Sequence, residues 1–270
     1  MTRQDRVKDA FAACRAEGRA AFVAYVMAGD PDPDASVAAA LACVEGGADL
    51  LELGVPFSDP IADGPTIQKA ALRALQAGAT VATCLDVARR VRERARVPVV
   101  LMGYLNPILA FGEGAFFTAC ARAGVDAVLV PDLPPEHAGP LWPHARAEGV
   151  HLPFLLSPTS TDERIASVSA AATGFVYYVS VTGVTGARAE LPADLAERLA
   201  LVREKSPVPV IAGFGLSTAA QVAEVGRRAD GVVVGSAIVA RVAEGGGPDA
   251  IAARVRDYVR ELRAGLGGGR

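Results

Sequence analysis

Eight short apolar runs, separated by stretches of helical composition, fix most of what this chain can become. They are Ala21–Val26, 49–53, Val97–Met102, Ala127–Val130, Leu152–Leu156, Phe175–Val179, Val208–Ile211 and Gly231–Val234. Each is too short for a buried helix and is apolar at nearly every position, as a strand covered on both faces is. They recur roughly every 25–35 residues, with helical stretches between them. Those stretches are predicted over 35–46, 65–77, 80–95, 113–123, 135–148, 161–171, 192–204 and 217–226. Such alternation predicts parallel strands joined by helical crossovers, and eight units predict a (β/α)8 barrel. A helix over 5–17 precedes the first strand, a short one over 236–243 follows the eighth, and one over 248–264 closes the chain. An open doubly wound sheet would carry a glycine fingerprint after its first strand. Here Ala28-Gly29-Asp30-Pro31 stands in that place. The 270 residues, 51% of them hydrophobic, suit one barrel domain over 1–270, with 265–270 as a frayed tail.

Composition narrows the partners. The chain has 27 basic and 30 acidic residues, a net charge of −3 and no basic run, which argues against nucleic acid. The N-terminus is charged and has no apolar signal core, and no apolar run reaches the ~20 residues that span a bilayer. Cys14, Cys43, Cys84 and Cys120 form no CxxC pair, and His137, His144 and His151 have no metal-ligand spacing. The expectation is a cytoplasmic protein with buried reduced thiols, no metal site and no membrane contact.

In barrels of this kind the chemistry collects at the C-terminal ends of the strands. Leu50-Leu51-Glu52-Leu53-Gly54 reads as a strand holding one carboxylate. Side chains alternate along a strand, so Leu51 and Leu53 facing the helices put Glu52 inside the barrel. A buried carboxylate is costly and needs a reason; it could cap or salt-bridge something structural, but its place near the strand end favours a function. From Pro56 to Pro65 come three prolines, a glycine, Asp59 and Asp63. No strand or helix continues through that composition, and Pro65-Thr66 starts the next helix. Two carboxylates in different surroundings can divide acid and base roles. Asp59 and Asp63 also read as turn residues beside prolines. That reading is preferred for Asp59, and the residues alone leave Asp63 open.

The runs Gly213-Phe214-Gly215-Leu216-Ser217 and Gly235-Ser236-Ala237 follow the seventh and eighth strands. Glycine allows close backbone approach, and helix-start N–H groups attract an anion, so this corner predicts a phosphate site. Simple turns capped by Ser217 and Ser236 would have the same composition. The loop Ser180–Arg188 is small, polar and hinged by glycine, as a lid or a plain surface connection would be. Only one of Tyr177 and Tyr178 can face the interior, and alternation does not say which.

The run from Leu51 to Pro65 resembles the signature of the tryptophan synthase α-subunit family. Gly29-Asp30-Pro31, Met102–Pro107, Pro131–Pro134, Gly183–Gly186, Gly213–Gly215 and Val234–Ser236 follow in the family's order. The resemblance implies a lyase of tryptophan biosynthesis. It would cleave indole-3-glycerol phosphate to indole and glyceraldehyde 3-phosphate by a reverse aldol step, with no cofactor in this chain. It implies Glu52 as acid and base, Asp63 as acceptor of the ring N–H, and Tyr177 lining the pocket beside Glu52. Phe22, Met102, Leu129 and Phe214 would form apolar walls, and Gly186, Gly215, Gly235 and Ser236 would hold the phosphate. Where some relatives carry arginine after the sixth-strand serine, this chain has Val181. The family also implies an α2β2 heterotetramer with a β subunit that carries pyridoxal phosphate. The contacts would be the Pro56–Asp63 loop and the segment at Asn106 and Pro107. Another phosphate-binding barrel enzyme, and an inactive α-like chain that only activates a β partner, are the alternatives.

Overall fold

The computed structural model describes residues 3–179, 194–213 and 215–267. Among them eight parallel strands run β1 (Ala21–Met27), β2 (Leu50–Gly54), β3 (Val99–Met102), β4 (Ala127–Leu129), β5 (Phe154–Leu156), β6 (Val176–Val179), β7 (Val210–Gly213) and β8 (Gly231–Val234). The sheet order is β4-β3-β2-β1-β8-β7-β6-β5. The β4–β5 edges meet just before β5, at a parallel bridge from Ala127 to His151. There the Val128 N–H donates to the His151 carbonyl and the His151 N–H to the Asp126 carbonyl, both at 2.9 Å. The predicted (β/α)8 barrel is the fold observed.

The helices are α1 (Arg6–Ala16), α2 (Pro33–Glu45), α3 (Pro65–Gln76), α4 (Val81–Arg92), α5 (Leu105–Phe111), α6 (Glu113–Ala123), α7 (Trp142–Glu148), α8 (Asp162–Ala171), α9 (Leu195–Lys205), α10 (Ala219–Gly226), α11 (Ser236–Ala243) and α12 (Gly247–Ala264). Two differ from the sequence reading. Helix α5 was not expected: the sequence reading places no helix between the third strand and residue 113. Pro107 sits in the first turn of α5, where backbone N–H groups have no intrahelical partner, so the ring costs no hydrogen bond. The stretch 135–148 is no single helix: Gly139-Pro140 separate a 3-10 turn at Pro135–His137 from α7.

Alternation divides the core into layers. Leu51, Leu53, Phe22, Ala24 and Val26 pack outward among the helices. Val23, Leu50, Val100, Leu129, Phe175 and Ile211 pack inside the barrel. Helix α1 plugs the N-terminal end with Val7, Phe11 and Cys14, and the Phe11 and Phe175 rings lie 6.3 Å apart. The same end is sealed by three aspartates placed just before even-numbered strands. Asp49 accepts the Phe22 N–H at 2.7 Å, Asp126 the Val99 N–H at 2.9 Å and Asp230 the Val210 N–H at 3.0 Å. Each carboxylate is paired with arginine: Arg19 on Asp49, Arg6 and Arg92 on Asp126, and Arg203 on Asp230. The charges are thus paired where they are buried, as burial requires. What stays open is the C-terminal end.

All four cysteines are buried and free. No helix among the described residues is long and apolar enough to cross a membrane. The tail is anchored further than expected. Leu266 is buried in the outer core, packed over Gly226, because an apolar side chain there still finds a slot beside α10. Residues 268–270 lie outside the described residues.

Candidate active site

Glu52 is on β2, in register with Tyr25 of β1 and Val100 of β3, and points into the barrel. It is 2% exposed, and neither carboxylate oxygen has a hydrogen-bond partner among the described residues. Loss of hydration disfavours its charge, and the nearby Asp63 carboxylate disfavours it further, so its pKa is pushed up to about 8. At neutral pH Glu52 is therefore mostly a protonated acid.

Asp63 faces the same cavity from the loop between β2 and α3. Its N–H donates to the Pro60 carbonyl at 3.1 Å, and Gln68 Nε2 donates to its carbonyl at 2.8 Å. Burial raises its pKa to about 6, while a hydrogen bond from Tyr104 pulls the other way. At neutral pH Asp63 is mostly ionised. One cavity thus holds a proton donor and a negative charge side by side, the division of labour two like carboxylates acquire from unlike surroundings. Asp59 is exposed, takes a 2.5 Å hydrogen bond from Ser58 Oγ and is not on the cavity wall, which fits its turn reading.

The cavity encloses about 440 Å³ at the C-terminal mouth of the barrel. Glu52 and Asp63 line it together with Gly213, Gly215, Gly235 and Ser236. Gly215 has φ +66°, a conformation that suits glycine. Helix α11 begins at Ser236 with Gly235 as its N-cap, and both residues line the cavity, so the positive end of that helix lies on its wall. On the neighbouring turn Thr218, not Ser217, caps α10, through a capping box with Gln221. Tyr177 lines the cavity, whereas Tyr178 is buried among the outer helices, which answers the question alternation left open.

Met102 is on the cavity wall as expected. Phe22 is not: it packs outward against the helices, because residues 21, 23, 25 and 27 of β1 are the inward set. Tyr25 holds the place on the wall expected of Phe22, with its hydroxyl over Gly54, where no side chain intrudes. Leu129 belongs to the interior layer with Met102, Leu155 and Tyr177, but the wall is made by Leu155 instead. Gly186, Phe214, Val181 and the lid reading of 180–188 fall outside the described residues. Tyr25 and Leu155 were findable from strand parity once one inward residue per strand was known. Tyr104 and Gln68 were not, since they act through loop geometry.

Comparison with known proteins gives one family. The family model described as tryptophan synthase alpha chain matches residues 11–266. The tryptophan synthase alpha chain of Geobacter sulfurreducens is 50% identical over 262 residues, 97% of this chain and 99% of that one. That of Citrifermentans bemidjiense is 53% identical over 234 residues, covering 87% and 88%. Among solved structures, a chain of Mycobacterium tuberculosis tryptophan synthase superposes with a TM-score of 0.91 at 40% identity, covering 99% of this chain and 100% of that one. A structure titled as tryptophan synthase subunit alpha from Legionella pneumophila gives 0.84 at 33%, covering 97% and 100%. With a model matched nearly end to end and relatives at about half identity, this chain belongs to the tryptophan synthase alpha chain family.

Proposed function

We infer that this chain is the lyase that splits indole-3-glycerol phosphate into indole and glyceraldehyde 3-phosphate, with Glu52 and Asp63 as its chemical groups. The observation that carries the assignment of roles is Glu52, buried and without a hydrogen-bond partner among the described residues, beside a second carboxylate in a cavity also lined by two glycine turns. A purely structural glutamate would have a partner; an unpaired one is held ready for a substrate.

The chemistry follows from the two charge states. Indole is a poor carbanion leaving group, so the bond from ring C3 to the glycerol chain breaks only after C3 is protonated. Glu52, protonated at rest, gives that proton. The ring becomes an indolenine cation, and the ionised Asp63 accepts the ring N–H and stabilises the positive charge. Glu52, now ionised, takes the proton of the adjacent glycerol hydroxyl. The carbonyl of glyceraldehyde 3-phosphate forms as the electron pair of the breaking C–C bond returns to the ring. Glu52 ends as it began, so no net proton is consumed. A positioned proton transfer typically contributes ~10²–10⁴-fold. Tyr177, Tyr25, Met102 and Leu155 form the apolar wall for the ring, while the backbone N–H groups at Gly215, Gly235 and Ser236 take the phosphate. A cavity of this size is ordinary for a small ligand.

A β partner carrying pyridoxal phosphate completes the proposal, in an α2β2 assembly. Support comes from exposed apolar side chains at the barrel mouth: Ile61 at 83%, Leu109 at 46% and Phe111 at 36%. They lie on the loop after β2 and on α5, the two segments expected to dock. A chain that only activated such a partner would have no use for an unpaired buried Glu52. Release of indole from indole-3-glycerol phosphate, followed with the chain alone and with added β subunit, tests the reading. Stoichiometric indole and glyceraldehyde 3-phosphate support it; no turnover in either case refutes it.

A further inference from the structure

The loop from Pro56 to Gly64 carries Asp63 but has little core of its own. Ser58, Asp59, Ile61 and Ala62 are exposed. Most of its hydrogen bonds are local, between Ser58 and Asp59, Asp63 and Pro60, and Gln68 and Asp63. Among the described residues the side chain that ties it to another strand is Tyr104, just past the end of β3. The Ala62 N–H donates to the Tyr104 hydroxyl oxygen at 3.0 Å. The hydroxyl proton is left free to turn toward the neighbouring Asp63 carboxylate, whose charged form the tyrosine favours. One oxygen thus holds the loop by the Ala62 backbone and neighbours the Asp63 carboxylate that follows it.

Tyr104 is itself held firmly. It is 3% exposed, and its ring meets that of Phe57, at the start of the same loop, with centroids 5.3 Å apart. On one side the Gly103 N–H bonds the Leu129 carbonyl at 3.1 Å, which ties the segment to β4. On the other the Leu105 N–H bonds Asp132 Oδ1 at 3.0 Å, in the loop after β4. Tyr104 is bonded into the barrel frame on both sides and the tip of the loop is exposed, so the hydroxyl refers the loop's position to the barrel.

We propose that Tyr104 is a positioning residue for the lyase reaction: its hydroxyl latches the loop after β2 to the end of β3 and aims the Asp63 carboxylate at the substrate ring N–H. This rests on the role given to Asp63 above. A group that must meet a developing charge within hydrogen-bond reach needs such support, because small misplacements cost rate steeply. The hydroxyl also favours the ionised form of Asp63, opposing the larger upward effect of burial.

The test compares the full-length wild-type chain, Tyr104→Phe, Asp63→Asn and the double variant, measuring kcat/KM for indole-3-glycerol phosphate against pH. Phenylalanine keeps the ring on Phe57 and removes one oxygen, and thermal melts check that the fold is intact. The expected results are a loss of about tenfold at neutral pH in Tyr104→Phe and an acidic limb moved to higher pH by about half a unit or more. Less than about a twofold further loss is expected when Tyr104→Phe is added to Asp63→Asn, since the effect passes through the carboxylate. An unmoved acidic limb overturns the proposal, as does an equal loss in both backgrounds. Undiminished turnover in Asp63→Asn overturns the role of Asp63 itself, and the proposal falls with it. A sharp loss in Asp63→Asn together with additivity overturns the latch alone.

Discussion

Tyr177 stands over Gly213, on the neighbouring strand, so closely that a Cβ added to the glycine would lie 2.5 Å from the tyrosine hydroxyl and 3.1 Å from its Cζ. Tyr177 is in turn on the cavity wall with Glu52. Gly213→Ala must therefore push the ring into the substrate space. The expected outcome is a rise in KM and a fall in kcat of about tenfold in kcat/KM or more, since roughly 1 Å of misplacement is costly. Tyr177→Phe added to Gly213→Ala should recover part of that loss by removing the closest atom. Steady-state kinetics of the two single variants and the double variant checks this; a double variant worse than the product of the singles contradicts it.

The pH dependence of kcat/KM reports the free enzyme's acid and base. Asp63 must be ionised, and its pKa is raised by burial to about 6. Glu52 must be protonated, and its pKa is raised by burial and by Asp63 to about 8. The profile should be a bell, rising through about 6 and falling through about 8. In the residual activity of Asp63→Asn the acidic limb should vanish, and the alkaline limb should move to lower pH, because one negative neighbour of Glu52 is gone. A flat profile from 5.5 to 8.5 would mean that neither group titrates in catalysis.

Glu52 also sets a stability cost. Its folded pKa lies above the ordinary glutamate value, so unfolding releases a proton between roughly pH 4.5 and 8. Stability from this group is fully present below pH 4.5 and is lost as pH rises through about 8. Glu52→Gln does not titrate and escapes the loss. It should be more stable than wild type at pH 8.5, by roughly 3–5 kcal/mol at most, and melt at a higher temperature, with the gap closing near pH 4.5. Calorimetric melts at both pH values decide it; a gap that does not change with pH rules out the raised pKa as its source.

The phosphate corner makes a separate prediction. At Gly235 a Cβ would be in ordinary contact with Tyr25, 3.4 Å away, so a side chain there fits the protein and intrudes on the ligand. Gly235→Val should weaken glycerol 3-phosphate binding about tenfold or more, with little change in melting temperature. Gly215→Val should weaken binding and also destabilise, because φ +66° strains a β-branched residue. Titration calorimetry with both variants checks this, and unchanged affinity in Gly235→Val would move the phosphate elsewhere.

The barrel was legible in the sequence because its strands are buried on both faces and its helices are not, so each announces itself by composition. Glu52 was legible for the same reason: a carboxylate between leucines in a barrel strand has to face inward. Phe22 was misplaced because a resemblance gives a residue type near a position, whereas the cavity obeys parity, and parity selects Tyr25. Leu129 was placed on the right face, inside the barrel, but it is packed in the core and does not reach the cavity wall. The choice between Tyr177 and Tyr178 depends on how β6 pairs with β7, which adjacent residues in sequence do not encode. Tyr104 was invisible because its oxygen acts on a loop 42 residues earlier. Helix α5 went unread, since it is one short stretch with Pro107 in its first turn, and such a proline looks like a proline in a loop.

The most direct measurement is kcat for cleavage of indole-3-glycerol phosphate by wild type and by Glu52→Gln, with bound substrate analogue confirming that the variant's cavity is intact. Glutamine keeps the size and removes the proton that must reach ring C3. Measurable indole release by wild type and a kcat at least tenfold lower in Glu52→Gln, with analogue affinity within a few-fold, is the expected result. A Glu52→Gln enzyme that keeps more than about a tenth of wild-type kcat would show that Glu52 is not the acid and base of this barrel.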